Sequence, residues 1–150
     1  MAPSAFEHIL VLVDGSESSL HAAEFAIHLA RELPARLTAI SVVDTETLRK
    51  LMSARILVEQ EVREFETELE KSQTRHLDFV HQLARKAGVQ AHAVLGKGVC
   101  HSAVLAEQKS RKADLIVLGG FRSSLTKMDL NARERQLIVD EAPCPVLIVK

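Results

Sequence analysis

The sequence predicts an α/β fold: a parallel sheet of five strands with helices on both faces. Two observations lead there. Five short runs rich in Val, Ile and Leu are bounded by turn-like residues, and segments with helical spacing of apolar residues lie between them. The resulting alternation of strand and helix, with mostly short connections, favours parallel strands joined by right-handed crossovers.

The first run is His8 to Val13, "HILVLV". Like the fourth and fifth runs it is apolar throughout, the pattern of a strand covered on both faces. From Ser16 to Leu33 the positions Leu20, Ala23, Ile27 and Ala30 form one apolar stripe, with Ser16 or Ser18 as the N-cap and Pro34 as the stop. Leu37 to Val43, "LTAISVV", is the second strand. The crossover that follows is long: Val58, Val62, Phe65, Leu69, Ser72, His76, Phe79 and Leu83 recur at alternating steps of four and three, flanked by many glutamates. An unbroken helix from Ile56 to Ala87 would be roughly 48 Å long, more than a small sheet needs. Either part of it overhangs the sheet, or it breaks between Ser72 and Arg75. The stripe reads as the core-facing side, with a partner surface as the alternative.

Val89 to Leu95, "VQAHAVL", alternates more than the other runs, which places it at a sheet edge with one wetter face. A third helix is expected over Ser102 to Lys112, the fourth strand over Leu115 to Leu118, a fourth helix over Ala132 to Glu141 ahead of Pro143, and the last strand over Val146 to Val149. No linker, repeat or low-complexity tract interrupts the series, so residues 1–150 read as one domain.

Bulk properties narrow the function. A chain of 150 residues buries roughly 70% of the surface its unfolded form exposes, and needs no disulfide or metal to hold it. A net charge of -1 with 26% charged residues gives no support to nucleic-acid or membrane-surface binding. The absence of Trp and Tyr leaves few stacking platforms for single strands. The N-terminus lacks the pattern of a signal peptide, and Cys100 and Cys144 make no disulfide framework, so a cytoplasmic location is expected. The seven histidines are scattered, which argues against a metal site, and His76 reads as a hydrogen-bonded packing residue.

In an open parallel sheet, ligands gather beyond the C-terminal ends of the strands. The residues delivered there are Asp14 and Gly15, Asp44, Gly96 and Gly98, and the pair Gly119 and Gly120. "GKGVCH", residues 96–101, is a near miss for the dinucleotide fingerprint, with His101 in place of the third glycine. Neither a P-loop nor a nucleophile elbow occurs. Asp14 and Asp44 read as helix-capping or solvated acids rather than a catalytic pair. No catalytic residue is therefore assigned, and an enzyme is the least supported class.

The chain resembles the universal stress proteins nearly end to end. The resemblance rests on "HILVLVDGSESS", "LTAISVVD", "LGKGVCHSAVL", "DLIVLGG" and "EAPCPVLIV". It implies a Rossmann-like, doubly wound five-stranded sheet of the adenine-nucleotide-binding type. It also implies a homodimer formed by antiparallel pairing of the last strand, Val146, Leu147, Ile148 and Val149, with its copy. An exposed edge strand of apolar residues gives that pairing a physical basis of its own.

ATP-binding members of the family carry a GxxGx9G(S/T) loop after the fourth strand. With its first glycine at Gly119, the other positions fall on Arg122, Ala132 and Arg133, so one of four matches. Arg122 and Ala132 put a Cβ where phosphate would approach bare amides, and Arg133 puts a long cationic side chain in place of the hydroxyl. By the resemblance Asp14, Val42 and Leu118 stand where binding members contact ribose or adenine. Gly119, Gly120, Arg122, Ser123 and Arg133 complete the candidate nucleotide site. Arg122 and Arg133 either clamp an anion directly or are solvated residues. The sequence thus points to a cytoplasmic, homodimeric regulatory or interaction module with a degenerate ATP loop and an unidentified protein partner. The alternative is an adenine-nucleotide sensor or weak ATPase taking ATP, ADP or AMP.

Overall fold

The computed structural model describes residues 5–120 and 130–150. Five strands form one sheet: β1 (His8–Leu12), β2 (Arg36–Val43), β3 (Ala91–Lys97), β4 (Leu115–Gly119) and β5 (Val146–Val149). Their order is β3-β2-β1-β4-β5, and every neighbouring pair is parallel. The chain winds outward from β1 in one direction, returns to β4 and continues the other way. This is the doubly wound arrangement, with the reversal between β1 and β4.

The period of two along β1 divides the core. Ile9, Val11 and Val13 face one layer with α1 (Glu17–Glu32) and α3 (Glu59–Lys86). Leu10 and Leu12 face the other, with α4 (Cys100–Arg111) and α5 (Leu130–Glu141). Both faces being covered, β1 and β4 are buried along their whole length. Among the described residues β3 pairs with β2 alone, at the sheet edge its sequence pattern predicts, and its residues are half-buried or exposed.

Ser16 caps α1, its hydroxyl accepting from Ser19 N at 3.2 Å. A short helix, α2 (Thr45–Ser53), follows β2 and is absent from the sequence prediction. Asp44 caps it, accepting from Thr47 N at 3.0 Å and from the Thr47 hydroxyl at 2.7 Å. α3 is continuous through Ser72 to Arg75, and its N-terminal half overhangs the sheet. Lys97, at the end of β3, ties the overhang down through Glu70 at 2.5 Å and Glu66 at 3.4 Å.

The sequence stripe along α3 is corrected by one residue. The sheet is met by Leu77, Val80 and Ala84, each next in sequence to His76, Phe79 and Leu83. Leu83 still packs against the core, but Phe79 and Phe65 are exposed. One residue is about 100° of helical rotation, so the apolar stripe lies on the flank of the helix rather than beneath it. No helix among the described residues is long and apolar enough to cross a membrane.

Candidate functional site

The turn after β1 is built from Asp14, Gly15 and Ser16. Gly15 has φ +85, and a Cβ there would run into the imidazole of His76, which closes over the turn from α3. Asp14 Oδ1 accepts from Ser16 N at 2.9 Å and from the Ser16 hydroxyl at 2.6 Å. Asp14 thereby holds the residue that caps α1.

Arg135, in the second turn of α5, reaches the same place from the other end of the chain. It is only 5% exposed. Its Nη2 donates to Asp14 Oδ2 at 2.5 Å and to Ser16 Oγ at 3.2 Å, and its Nη1 donates to the Gly120 carbonyl at 3.4 Å. Burial pushes the Asp14 carboxyl up. The Ser16 hydroxyl and the Arg135 guanidinium outweigh it, and the net shift is downward. A cation near a helix N-terminus opposes the dipole, but here its charge is carried off to a carboxylate. Next to it, Glu134 Oε2 accepts from His101 N at 2.8 Å and from His101 Nδ1 at 2.6 Å. The start of α5 is thus lashed to α4 through Glu134 and to the β1 turn through Arg135.

These residues line a cleft of about 500 Å³ beyond the C-terminal ends of β1 and β2. Asp14 and Val42 form its base, Asp44 and Lys50 come from the α2 side, and Arg133 and Glu134 come from α5. Cys100 reports the electrostatics of the cleft. Its thiol is pushed up to about 12, first by burial and then by the carboxylates of Glu134, Asp14 and Asp44. The Arg135 guanidinium pulls the other way, more weakly.

Among the residues expected from the sequence, Asp14, Val42 and Arg133 come together on this cleft. Leu118 is fully buried in the layer packed by α4 and α5. Gly119 and Gly120 are buried and have packing reasons of their own. A Cβ on Gly119 would stand 2.6 Å from the backbone carbon of Ser18, and one on Gly120 would stand 3.1 Å from Lys150 Cα. Arg122 and Ser123 lie outside the described residues. Val146, Leu147, Ile148 and Val149 form β5, which pairs with β4.

Sequence reasoning missed the contributions of Lys50, His101, Glu134 and Arg135. A signal for α2, and so for Lys50, did exist: Asp44 as a cap followed by Leu48, Leu51 and Met52 at helical spacing. Nothing local to Arg135 or Glu134 announces their distant partners.

The family model for the universal stress protein family matches residues 5–150. The universal stress protein MJ0531 of Methanocaldococcus jannaschii is 32% identical over 146 residues, covering 97% of this chain and 82% of that one. A crystal structure from the family in Burkholderia pseudomallei superposes with a TM-score of 0.78 at 23% identity, covering 99% and 98% of the two chains. A universal stress protein solved in complex with cAMP superposes with a TM-score of 0.68 at 21% identity, covering 98% of each chain. On the family match and the Methanocaldococcus relative, the chain belongs to the universal stress protein family.

Proposed function

We propose that residues 1–150 form a single universal stress protein domain working in the cytoplasm as a homodimeric regulatory or interaction module, without turnover. The observation that carries this reading is the state of Asp14. Both its oxygens are engaged by the protein itself, Oδ1 by Ser16 and Oδ2 by Arg135. A residue whose family position faces the nucleoside is here part of the internal structure. The start of α5 supports the same reading, because Ala132 and the exposed Arg133 stand where an ATP loop needs glycine and a hydroxyl. Gly119, the one matched position of that loop, and its neighbour Gly120 are accounted for by close packing.

The dimer is proposed through β5. Among the described residues this strand pairs only with β4, and its side chains are half-buried or, at Ile148, exposed. An apolar edge of that kind is satisfied by antiparallel pairing with a second copy.

A second reading, an adenine-nucleotide sensor or weak ATPase, is favoured by the cleft at Asp14 and Val42 and by the cAMP held by a protein of the same fold. Calorimetric titration of the purified protein with ATP, ADP, AMP and cAMP separates the two. The leading reading expects no micromolar ATP affinity. Such affinity, abolished by Asp14→Ala, would replace it with the sensor.

A further inference from the structure

We infer that Arg135 is a tethered occupant of the strand-end cleft, and that this one side chain decides whether the cleft admits a ligand carrying a phosphate or similar anionic group. The inference rests on the reading just proposed and extends it from the state of the site to the residue that sets it. The guanidinium is buried and held by three acceptors: the Asp14 carboxylate, the Ser16 hydroxyl and the Gly120 carbonyl. Those acceptors lie at the ends of β1 and β4, the point where the winding of the sheet reverses. Arg135 thus brings to that point a positive charge already matched by an acid, in place of an exchangeable ligand.

The occupant is braced. Glu134, its neighbour in sequence, is held by both the backbone and the ring of His101, which fixes the start of α5 against α4. Swinging Arg135 aside would strand the Asp14 carboxylate, which is itself largely buried. An entering anion therefore finds the Arg135 charge already paired, and Lys50 and Arg133 share the cleft with the carboxylates of Glu134 and Asp44. For the same reason, restoring the loop is not enough. Arg122→Gly, Ala132→Gly and Arg133→Ser would bare backbone amides but leave Arg135 in place.

The test uses the full chain, AMP and ATP as probes, calorimetry for binding and circular dichroism for the fold. Arg135→Met together with Asp14→Asn removes the guanidinium and its donors without leaving an unpaired carboxylate on the cleft. It is expected to gain at least about tenfold in AMP affinity over the wild type, the change worth one charge-assisted hydrogen bond. Arg135→Lys keeps a cation for Asp14 but loses the fork that also reaches Ser16 and Gly120, and it is expected to show a smaller gain in the same direction. It serves as the test if the double variant does not fold. A folded variant with unchanged AMP affinity overturns the inference. So does weaker AMP binding than the wild type, which would make Arg135 a ligand for the phosphate. Micromolar ATP binding by the wild type would instead sink the regulatory-module reading, so the two failures are told apart.

Discussion

Asp14 and Arg135 are 121 residues apart in the chain and meet in a buried ion pair. Removing one partner of such a pair leaves an uncompensated charge, so Asp14→Ala should cost about 3 kcal/mol or more in urea unfolding at neutral pH. The cost depends on pH in a defined way. Because the folded carboxyl lies below its ordinary 3.8, its contribution is complete above that value and is lost as pH falls through the lower, folded one. The difference between wild type and Asp14→Asn should therefore narrow only below about pH 4. His8 acts in an earlier window. It is buried against the Thr38 hydroxyl at 2.7 Å, and burial, followed by the charge of Arg36, lowers it from its ordinary 6.5. Its contribution is complete above that value and fades as pH falls below it, because the folded protein resists the added proton. Residues with local jobs were legible: Ser16 as a cap and Asp14 as the organiser of a helix start both follow from neighbours within five positions. Arg135 was not, since the spacing around it describes an exposed helix start and its partners come from β1 and β4.

The helices show how periodicity can be right in type and wrong in face. A spacing of alternating four and three residues predicts a helix over Ile56 to Ala87, and α3 is one continuous helix over Glu59–Lys86. The face is misassigned because bulk and burial disagree: the sheet takes Leu77, Val80 and the small Ala84, while Phe65 and Phe79 stay outside. Unfolding experiments can read the difference directly. Leu77→Ala, at a position 4% exposed, should cost about 2 to 5 kcal/mol. Phe65→Ala, at a position 51% exposed, should stay within about 0.5 kcal/mol. α2 escaped the sequence prediction because its signal, the Asp44 cap and the spacing of Leu48, Leu51 and Met52, spans only nine residues and buries a single side chain, Leu48. The strands fared better, since runs closed by Asp14, Asp44 and Gly119 mark their own ends, and the alternation in β3 located the sheet edge.

At the scale of the molecule, the order β3-β2-β1-β4-β5 puts β5 at an edge and the cleft above the strand ends. Ile148 is the most exposed residue of β5 at 37%, so Ile148→Glu should convert the proposed dimer to a monomer in size-exclusion chromatography with light scattering. An unchanged mass would move the interface elsewhere. The sheet and its winding were legible because alternating apolar runs and short connections leave few other topologies. The working state of the cleft was not, because it depends on side chains from β1, α4 and α5 that meet only after folding. Its most direct test is thermal. A ligand at about 1,000 times its Kd adds roughly 4 kcal/mol of stability, which for a chain of this size raises Tm by about 8 °C or more. With about 1 mM ATP, a thousandfold excess over a micromolar Kd, the wild type should melt at the same temperature as without it. A rise of that size, lost in Asp14→Ala, would contradict a cleft whose Asp14 is committed to Arg135.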